Sequence, residues 1–211
     1  MLRRWKRRGT GMIMNKPRTI SFYRGRLPHW EVEDGVYFVT LRLYGALPAK
    51  CVKALQELAL EIEKSEGPAK EKLQRTTFAI LEHYLHNSVD KRHLTESPVA
   101  AMIGDSIAHM QTSGLWETFE YVIMPNHLHL LFALTGGSLR TTMLSFKRWT
   151  GRQAKAILSL SEPHFWQNDS FDHWVRSDAE FEKTIQYIRM NPAKAGLVHD
   201  YQDWPYGSWS M

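Results

Sequence analysis

A chain of 211 residues, 43% hydrophobic and with eight tryptophans, is long enough for one domain with a substantial core and too apolar for wholesale disorder. Its single cysteine, Cys51, excludes an intramolecular disulfide and a multi-cysteine metal site, and no apolar run is long enough for a membrane-spanning helix. The net charge of +5 is unevenly placed: nine basic residues and no acidic one precede Glu31, which leaves 18 basic against 22 acidic in the remainder.

Residues 1–26 therefore read as a basic arm. Arg3, Arg4, Lys6, Arg7 and Arg8 are the expected phosphate contacts of such an arm, although a solvated tail has the same composition. An organelle transit peptide fits less well, because the stretch lacks amphipathic periodicity. No apolar segment near the start resembles a secretory signal, so the cytoplasm is the expected setting. Residues 27–211 are expected to form a single domain. Leu27–Asp34 reads as an irregular lead-in. Gly35–Tyr44, rich in β-branched and aromatic residues, reads as a strand. Ala49–Lys64 and Glu71–His86 have helical spacing, separated by Ser65-Glu66-Gly67-Pro68. Pro98–Thr112 is a third helix, with Ser97 as its expected N-cap. Together these helices make an insertion around residues 50–113.

Trp116–Ile123 alternates as a strand, Pro125-Asn126 turns the chain, and His127–Leu134 is a second, almost wholly apolar strand. Ser138–Leu158 is a long helix. A loop containing Pro163 follows, and Asp178–Met190 is a last helix that should stop before Pro192. Strands interrupted by helices in this irregular order predict an α+β sandwich, with helices covering an antiparallel sheet.

Three features carry candidate chemistry. His127 and His129, at i and i+2 on a strand, project from one face. They can share a divalent metal, or simply hydrogen-bond to neighbours. Tyr187 falls off the buried stripe of its helix, formed by Phe181, Ile185 and Ile188, with Lys183 and Asn191 one turn to either side. It is available as a nucleophile, or as an amphipathic cover for the rim of the core. Arg140, Lys147, Arg148, Arg152 and Lys155 form a basic side of the long helix, opposite Met143, Phe146, Trp149 and Ile157. Such a stripe can track a phosphate backbone, and it can equally be a solvated face.

Three blocks in fixed order narrow these alternatives. They are Val122-Ile-Met-Pro-Asn-His-Leu-His-Leu-Leu131; Phe165-Trp-Gln167 with Phe171-Asp-His173 and Val175-Arg176; and Tyr187-Ile-Arg-Met-Asn-Pro-Ala-Lys-Ala-Gly-Leu-Val198 with Trp204-Pro-Tyr-Gly-Ser208. Together they resemble the REP-associated tyrosine transposases, single-tyrosine enzymes of the HUH nuclease superfamily and relatives of the IS200-like transposases. Leu27-Pro-His-Trp30 and Tyr37-Phe-Val-Thr40 resemble the family's opening strand.

The resemblance implies a ferredoxin-like HUH core. It implies Mg²⁺ or Mn²⁺ at His127 and His129, completed by the amide of Asn191. Tyr187 matches the nucleophile, and His173 and Lys183 are implied as support for the site. The implied activity is cutting and rejoining of single-stranded or hairpin DNA through a 5′-phosphotyrosine, and the REP-associated branch suggests a monomer. Trp204, Tyr206 and Trp209 are then candidates for stacking on bases. Ser170 stands where many relatives carry a further tyrosine, which leaves Tyr187 as the better nucleophile. Ala193 replaces the usual Val after Asn191-Pro192. Two rival readings are a domesticated DNA-binding protein without cleavage, and a two-histidine zinc hydrolase that would not need Tyr187.

Overall fold

The computed structural model describes residues 19–24, 28–32, 35–88 and 91–210. Strands β1 (Thr19–Arg24) and β2 (Pro28–Val32) form an antiparallel hairpin of their own. Regular structure thus reaches back into the stretch expected to be an arm. Arg3, Arg4, Lys6, Arg7 and Arg8 lie outside the described residues.

The main sheet holds β3 (Val36–Arg42), β4 (Trp116–Ile123), β5 (His127–Leu134) and β6 (Phe171–Trp174) in the order β4-β5-β3-β6. Every pairing is antiparallel. Among the described residues five α-helices occur, α1 (Ala49–Lys64), α2 (Gly67–Asn87), α3 (Ser97–Thr112), α4 (Leu139–Ile157) and α5 (Asp178–Lys194). The path β3-α3-β4-β5-α4-β6 and its strand order are those of a ferredoxin-like α+β fold, with α1 and α2 inserted after β3.

Alternation along β5 separates two cores. Leu128, Leu130, Phe132 and Leu134 join Tyr37, Val39 and Leu41 under α3 and α4. On the opposite face Leu131 and Ala133 join Val36, Phe38 and the α5 residues Phe181, Ile185 and Ile188. His127 and His129 share the parity of Leu131, so they belong to the α5 face. Helix α2 serves both sides: Leu81 and Leu85 enter the first core, while Phe78 packs against the second.

Five elements depart from expectation. Strand β6 forms where a loop was expected, because a short extended stretch finds the open edge of β3. Helix α5 continues through Pro192 to Lys194. A proline in the last turn sacrifices one hydrogen bond, and here Asn191 and Pro192 are buried on the helix, so packing holds the turn. Gly67 and Pro68 open α2 instead of separating it from its neighbour, since proline is compatible with a first turn. Ser97 is the first residue of α3, and Glu96 is its N-cap. In β4 a bulge between Thr118 and Glu120 breaks the alternation, so Phe119 packs toward α5 while Tyr121 enters the other core.

Candidate metal and nucleophile site

The first residues of β5 carry the first part of the site. His127 is 1% exposed and His129 is fully buried, their ring centroids 4.7 Å apart. Each ring is held by its Nδ1: that of His127 lies 2.7 Å from Oδ1 of Asn126, and that of His129 lies 2.9 Å from the hydroxyl of Thr40, its partner across the ladder. The Nε2 atoms of both rings are buried without a hydrogen-bond partner. Burial and the adjacent His129 push the His127 imidazole down to about 3. A neutral ring with a free Nε2 lone pair is a metal-ligating form of histidine.

Helix α5 lies over these rings. The Tyr187 ring centroid is 5.4 Å from that of His129, and Asn191, one turn on, is fully buried. Continuation of α5 past Met190 keeps Asn191 on the same helical face as Tyr187. The Lys194 ammonium sits 5.2 Å from the centre of the Tyr187 ring.

Helix α2 supplies residues that sequence reasoning missed. Phe78, Glu82 and His86 recur every fourth residue and so share a stripe. The Glu82 side chain is 10% exposed. Its Oε2 accepts a short hydrogen bond from the Tyr187 hydroxyl and another from Asn191 Nδ2 at 3.3 Å. Its Oε1 has no hydrogen-bond partner and lies 3.5 Å from His129 Nε2. His86 Nε2 is 3.4 Å from Glu82 Oε2 and 3.1 Å from Asn191 Oδ1. Burial alone would raise the Glu82 carboxyl; His129, His127 and the Tyr187 hydroxyl outweigh it and hold the group below the usual carboxylate range. Burial, then the Glu82 charge, push the Tyr187 phenol above its ordinary value.

The donor set fits a divalent cation. Among the described residues, Glu82, His86 and His127 bring metal-binding atoms within 4.8 Å of one another. The buried, unpartnered Nε2 of His129 faces the same group. Asn191 is in the cluster too, although its amide oxygen is turned to His86. Nitrogen and oxygen donors together are a set that a divalent metal ion accepts.

The remaining expected residues fall in different places. Lys183 is exposed and His173 is half-buried; both line a cavity of ≈ 590 Å³ beside Tyr187, walled by Phe38, Phe78 and Phe171. His173 is bonded to Glu180 at 2.7 Å and is not one of the three residues of the metal-type group. The basic residues of α4 lie across the sheet from Tyr187, since α4 packs on the other core. Arg140, Arg148 and Arg152 are exposed there. Lys147 and Lys155 are half-buried and donate to the backbone carbonyls of Asn168 and Glu162, and burial pushes the Lys147 ammonium down to about 8. Trp149 and Ile157, expected on the apolar side, are 50% and 41% exposed, and the Arg152 guanidinium lies 5.3 Å from the Trp149 ring centre. The C-terminal aromatics are structural in their polar contacts: Trp204 Nε1 donates to the Ile123 carbonyl and the Tyr206 hydroxyl to that of Thr95, while Trp209 packs on the core beneath α5.

Comparison with known proteins places this geometry in context. The family described as IS200-like transposase matches residues 76–191, more than half of the chain, from α2 to Asn191. A protein of Haemophilus influenzae named as a REP-associated tyrosine transposase is 30% identical over 103 residues, covering 44% of this chain and 58% of that protein. The REP-associated tyrosine transposase of Escherichia coli K12 is 23% identical over 107 residues, covering 51% of this chain and 62% of its own length. The matches thus span about three-fifths of these curated relatives. A solved structure of a REP-associated tyrosine transposase bound to a REP hairpin superposes with a TM-score of 0.56 at 18% identity, covering 90% of this chain and 83% of that one. At that identity the likeness is one of fold. No helix among the described residues is long and apolar enough to cross a membrane.

Proposed function

Because the chain belongs to the IS200-like transposase family, we propose that it cuts and rejoins single-stranded DNA at hairpin sequences, with Tyr187 as the nucleophile and His127, His129 and Asn191 as metal-site residues. The observation that supports this best is the meeting of Tyr187 with two buried histidines whose Nε2 atoms have no partner. A rim tyrosine and two structural histidines would not need to converge with those atoms left bare. The relatives named as REP-associated transposases, one of them solved with a REP hairpin, supply the DNA class.

A divalent cation bound at the histidines would polarise the scissile phosphate and orient it. The protein's own groups do the rest. The Tyr187 oxygen attacks phosphorus as its O–H proton passes to the Glu82 oxygen that already accepts its hydrogen bond. The bond from phosphorus to the 3′-oxygen breaks, and that oxygen leaves as a 3′-hydroxyl after gaining a proton. The 5′-phosphotyrosine conserves the bond, so a second 3′-hydroxyl can reverse the step without ATP. Phe38, Phe78 and Phe171 line the approach to Tyr187 and exclude water beside it, and Lys183 adds positive charge at that cavity. The β5 ladder and the Asn126 and Thr40 bonds fix both imidazoles.

The test is incubation of the protein and a labelled hairpin DNA, carrying a single-stranded flank, in Mg²⁺ or Mn²⁺. A denaturant-stable protein–DNA adduct that maps to Tyr187 is expected. An adduct at Tyr201 or Tyr206 would overturn the residue assignment, and hairpin binding without any adduct would favour a DNA-binding protein that does not cut.

A further inference from the structure

We propose that Glu82, carried by helix α2, is a ligand of the metal and at the same time the group that aligns the nucleophile: Oε1 binds the cation and Oε2 holds the Tyr187 hydroxyl. This rests on the reading of His127 and His129 as a metal site and adds to it a carboxylate from the inserted helices.

Three observations carry the assignment. The first is position. Oε1 of Glu82 is buried, has no hydrogen-bond partner, and faces the bare Nε2 of His129 at 3.5 Å. Glu82 as a residue also belongs to the group in which it, His86 and His127 each present one ligand atom, all within 4.8 Å of one another. The second is charge. The hydrogen-bond and ion-pair neighbours of Glu82 are His86, His129, Tyr187 and Asn191, and none carries a permanent positive charge. An ionised carboxylate in so buried a place is costly without a cation to neutralise it. The third is the chemistry of the metal. Two imidazoles and an amide form a neutral set, whereas Mg²⁺ is ordinarily bound through one or two carboxylates together with phosphate oxygens. Glu82 supplies the missing anion.

The two oxygens then have separate tasks. Oε2 already accepts from Tyr187 and from Asn191 Nδ2, which leaves Oε1 free to turn to the ion without breaking either bond. One carboxylate thereby sets the distance between the nucleophilic oxygen and the cation. Helices α1 and α2, inserted after β3, are in this view part of the catalytic apparatus. Leu81 and Leu85, anchored in the core beneath the sheet, hold Glu82 at its depth.

Mn²⁺ titration of the full chain, followed by the loss of the free-ion electron paramagnetic resonance signal, tests this without DNA. Glu82→Gln should raise the Mn²⁺ dissociation constant by about tenfold or more, and His127→Ala should abolish tight binding. Thermal unfolding in EDTA checks that each variant folds. Mn²⁺ should raise the wild-type midpoint, and should raise that of Glu82→Gln much less at the same concentration. Should Glu82→Gln not fold, wild type labelled with ¹³C at glutamate carboxyls should show coupling between bound Mn²⁺ and a carboxylate carbon. Equal Mn²⁺ affinity of wild type and Glu82→Gln, or bound Mn²⁺ without that coupling, would overturn the assignment and leave the histidine site standing. A wild type that binds no Mn²⁺ would overturn both.

Discussion

His127 donates its Nδ1–H to Oδ1 of Asn126 across 2.7 Å, and Asn126 fixes the direction of that bond. The Asn126 amide nitrogen donates to the carbonyls of Leu85 at 2.9 Å and Ser88 at 3.2 Å, so its oxygen must be the acceptor for the imidazole. The proton therefore sits on Nδ1, and Nε2 keeps its lone pair toward the site. The same side chain ties the end of α2, and with it Glu82 and His86, to the turn that starts β5. Asn126→Ala should cost about 2–3 kcal/mol of stability in urea unfolding, because it strips buried carbonyls of their donor. It should also weaken Mn²⁺ binding. Wild-type stability and affinity in this variant would show that the amide does not hold the ring.

Tyr187→Phe keeps the ring in its aromatic setting against Phe38 and Phe78 and removes only the hydroxyl. The adduct and the cleavage should disappear together, while hairpin affinity should stay within about threefold. Without metal, the variant should lose about 1–2 kcal/mol, since the Glu82 carboxylate loses a donor. Cleavage that persists at the wild-type rate would point to a metal-bound water as the attacking group.

The parts of the site that could be read in the sequence are those written in local spacing. His127 and His129 on an apolar strand, and Tyr187 and Asn191 one turn apart, are each a short-range pattern. Glu82 and His86 are not. Glu82 meets Tyr187 across 105 positions of sequence, through a helix whose apolar residues were the only ones weighed. Phe78, Glu82 and His86 at four-residue spacing beside buried Leu81 and Leu85 were the available signal. Strand β6 was illegible for a related reason: four residues carry too little periodicity, and only the free edge of β3 makes them a strand. The end of α5 was misread because the rule against helix before proline is local, whereas burial of Asn191 and Pro192 decides the outcome.

Helix α5 is also fastened to the sheet by charge. Glu120, its side chain 4% exposed, accepts from Arg189 Nε at 2.8 Å and lies 2.7 Å from an Arg189 terminal nitrogen. The Ser208 hydroxyl donates to its other oxygen. Arg189→Met keeps much of the apolar stem but leaves the carboxylate without its cation. Breaking a buried pair typically costs about 3–5 kcal/mol, and partial exposure of the arginine lowers the expectation to about 2–3 kcal/mol. Chemical denaturation measures it directly. A loss below about 0.5 kcal/mol would mean that solvent already screens the pair.

On the far side of the sheet, α4 offers Arg148, Arg152 and the exposed Trp149 around a shallow hollow with Leu144. If single-stranded flanks of the hairpin run there, Trp149→Ala should weaken binding by a stacking contribution of about 1–3 kcal/mol. Arg148→Gln with Arg152→Gln should lower the slope of log affinity against log salt by about 1.5 units. Lys147→Gln should change the slope less, because that ammonium is engaged with the Asn168 carbonyl. Slopes identical to wild type would remove α4 from the DNA path.

The start of α5 carries a carboxylate whose protonation should be felt in acid. Ser177 caps the helix by accepting from the Glu180 N–H, and Glu180 in turn accepts from His173 at 2.7 Å and from the Arg176 N–H at 2.7 Å. Burial by itself would raise the Glu180 carboxyl; the His173 hydrogen bond, the Arg176 N–H and the charges of both residues prevail, and the group lies below its ordinary value. A carboxyl whose folded pKa is depressed binds fewer protons in the folded state than in the unfolded one, so stability rises with pH between the two values. The contribution is therefore complete above the unfolded value of about 4.3 and is lost as pH falls through the lower folded value. Glu180→Gln should flatten the decline in stability below about pH 4.3; its loss relative to wild type should be largest and nearly constant above that pH and should shrink in acid. Because Glu180 is about one-third exposed, the loss should be modest, nearer that of a surface pair than of a buried one. Stability–pH curves of wild type and Glu180→Gln that stay parallel from pH 3 to pH 7 would show that this network does not couple to folding.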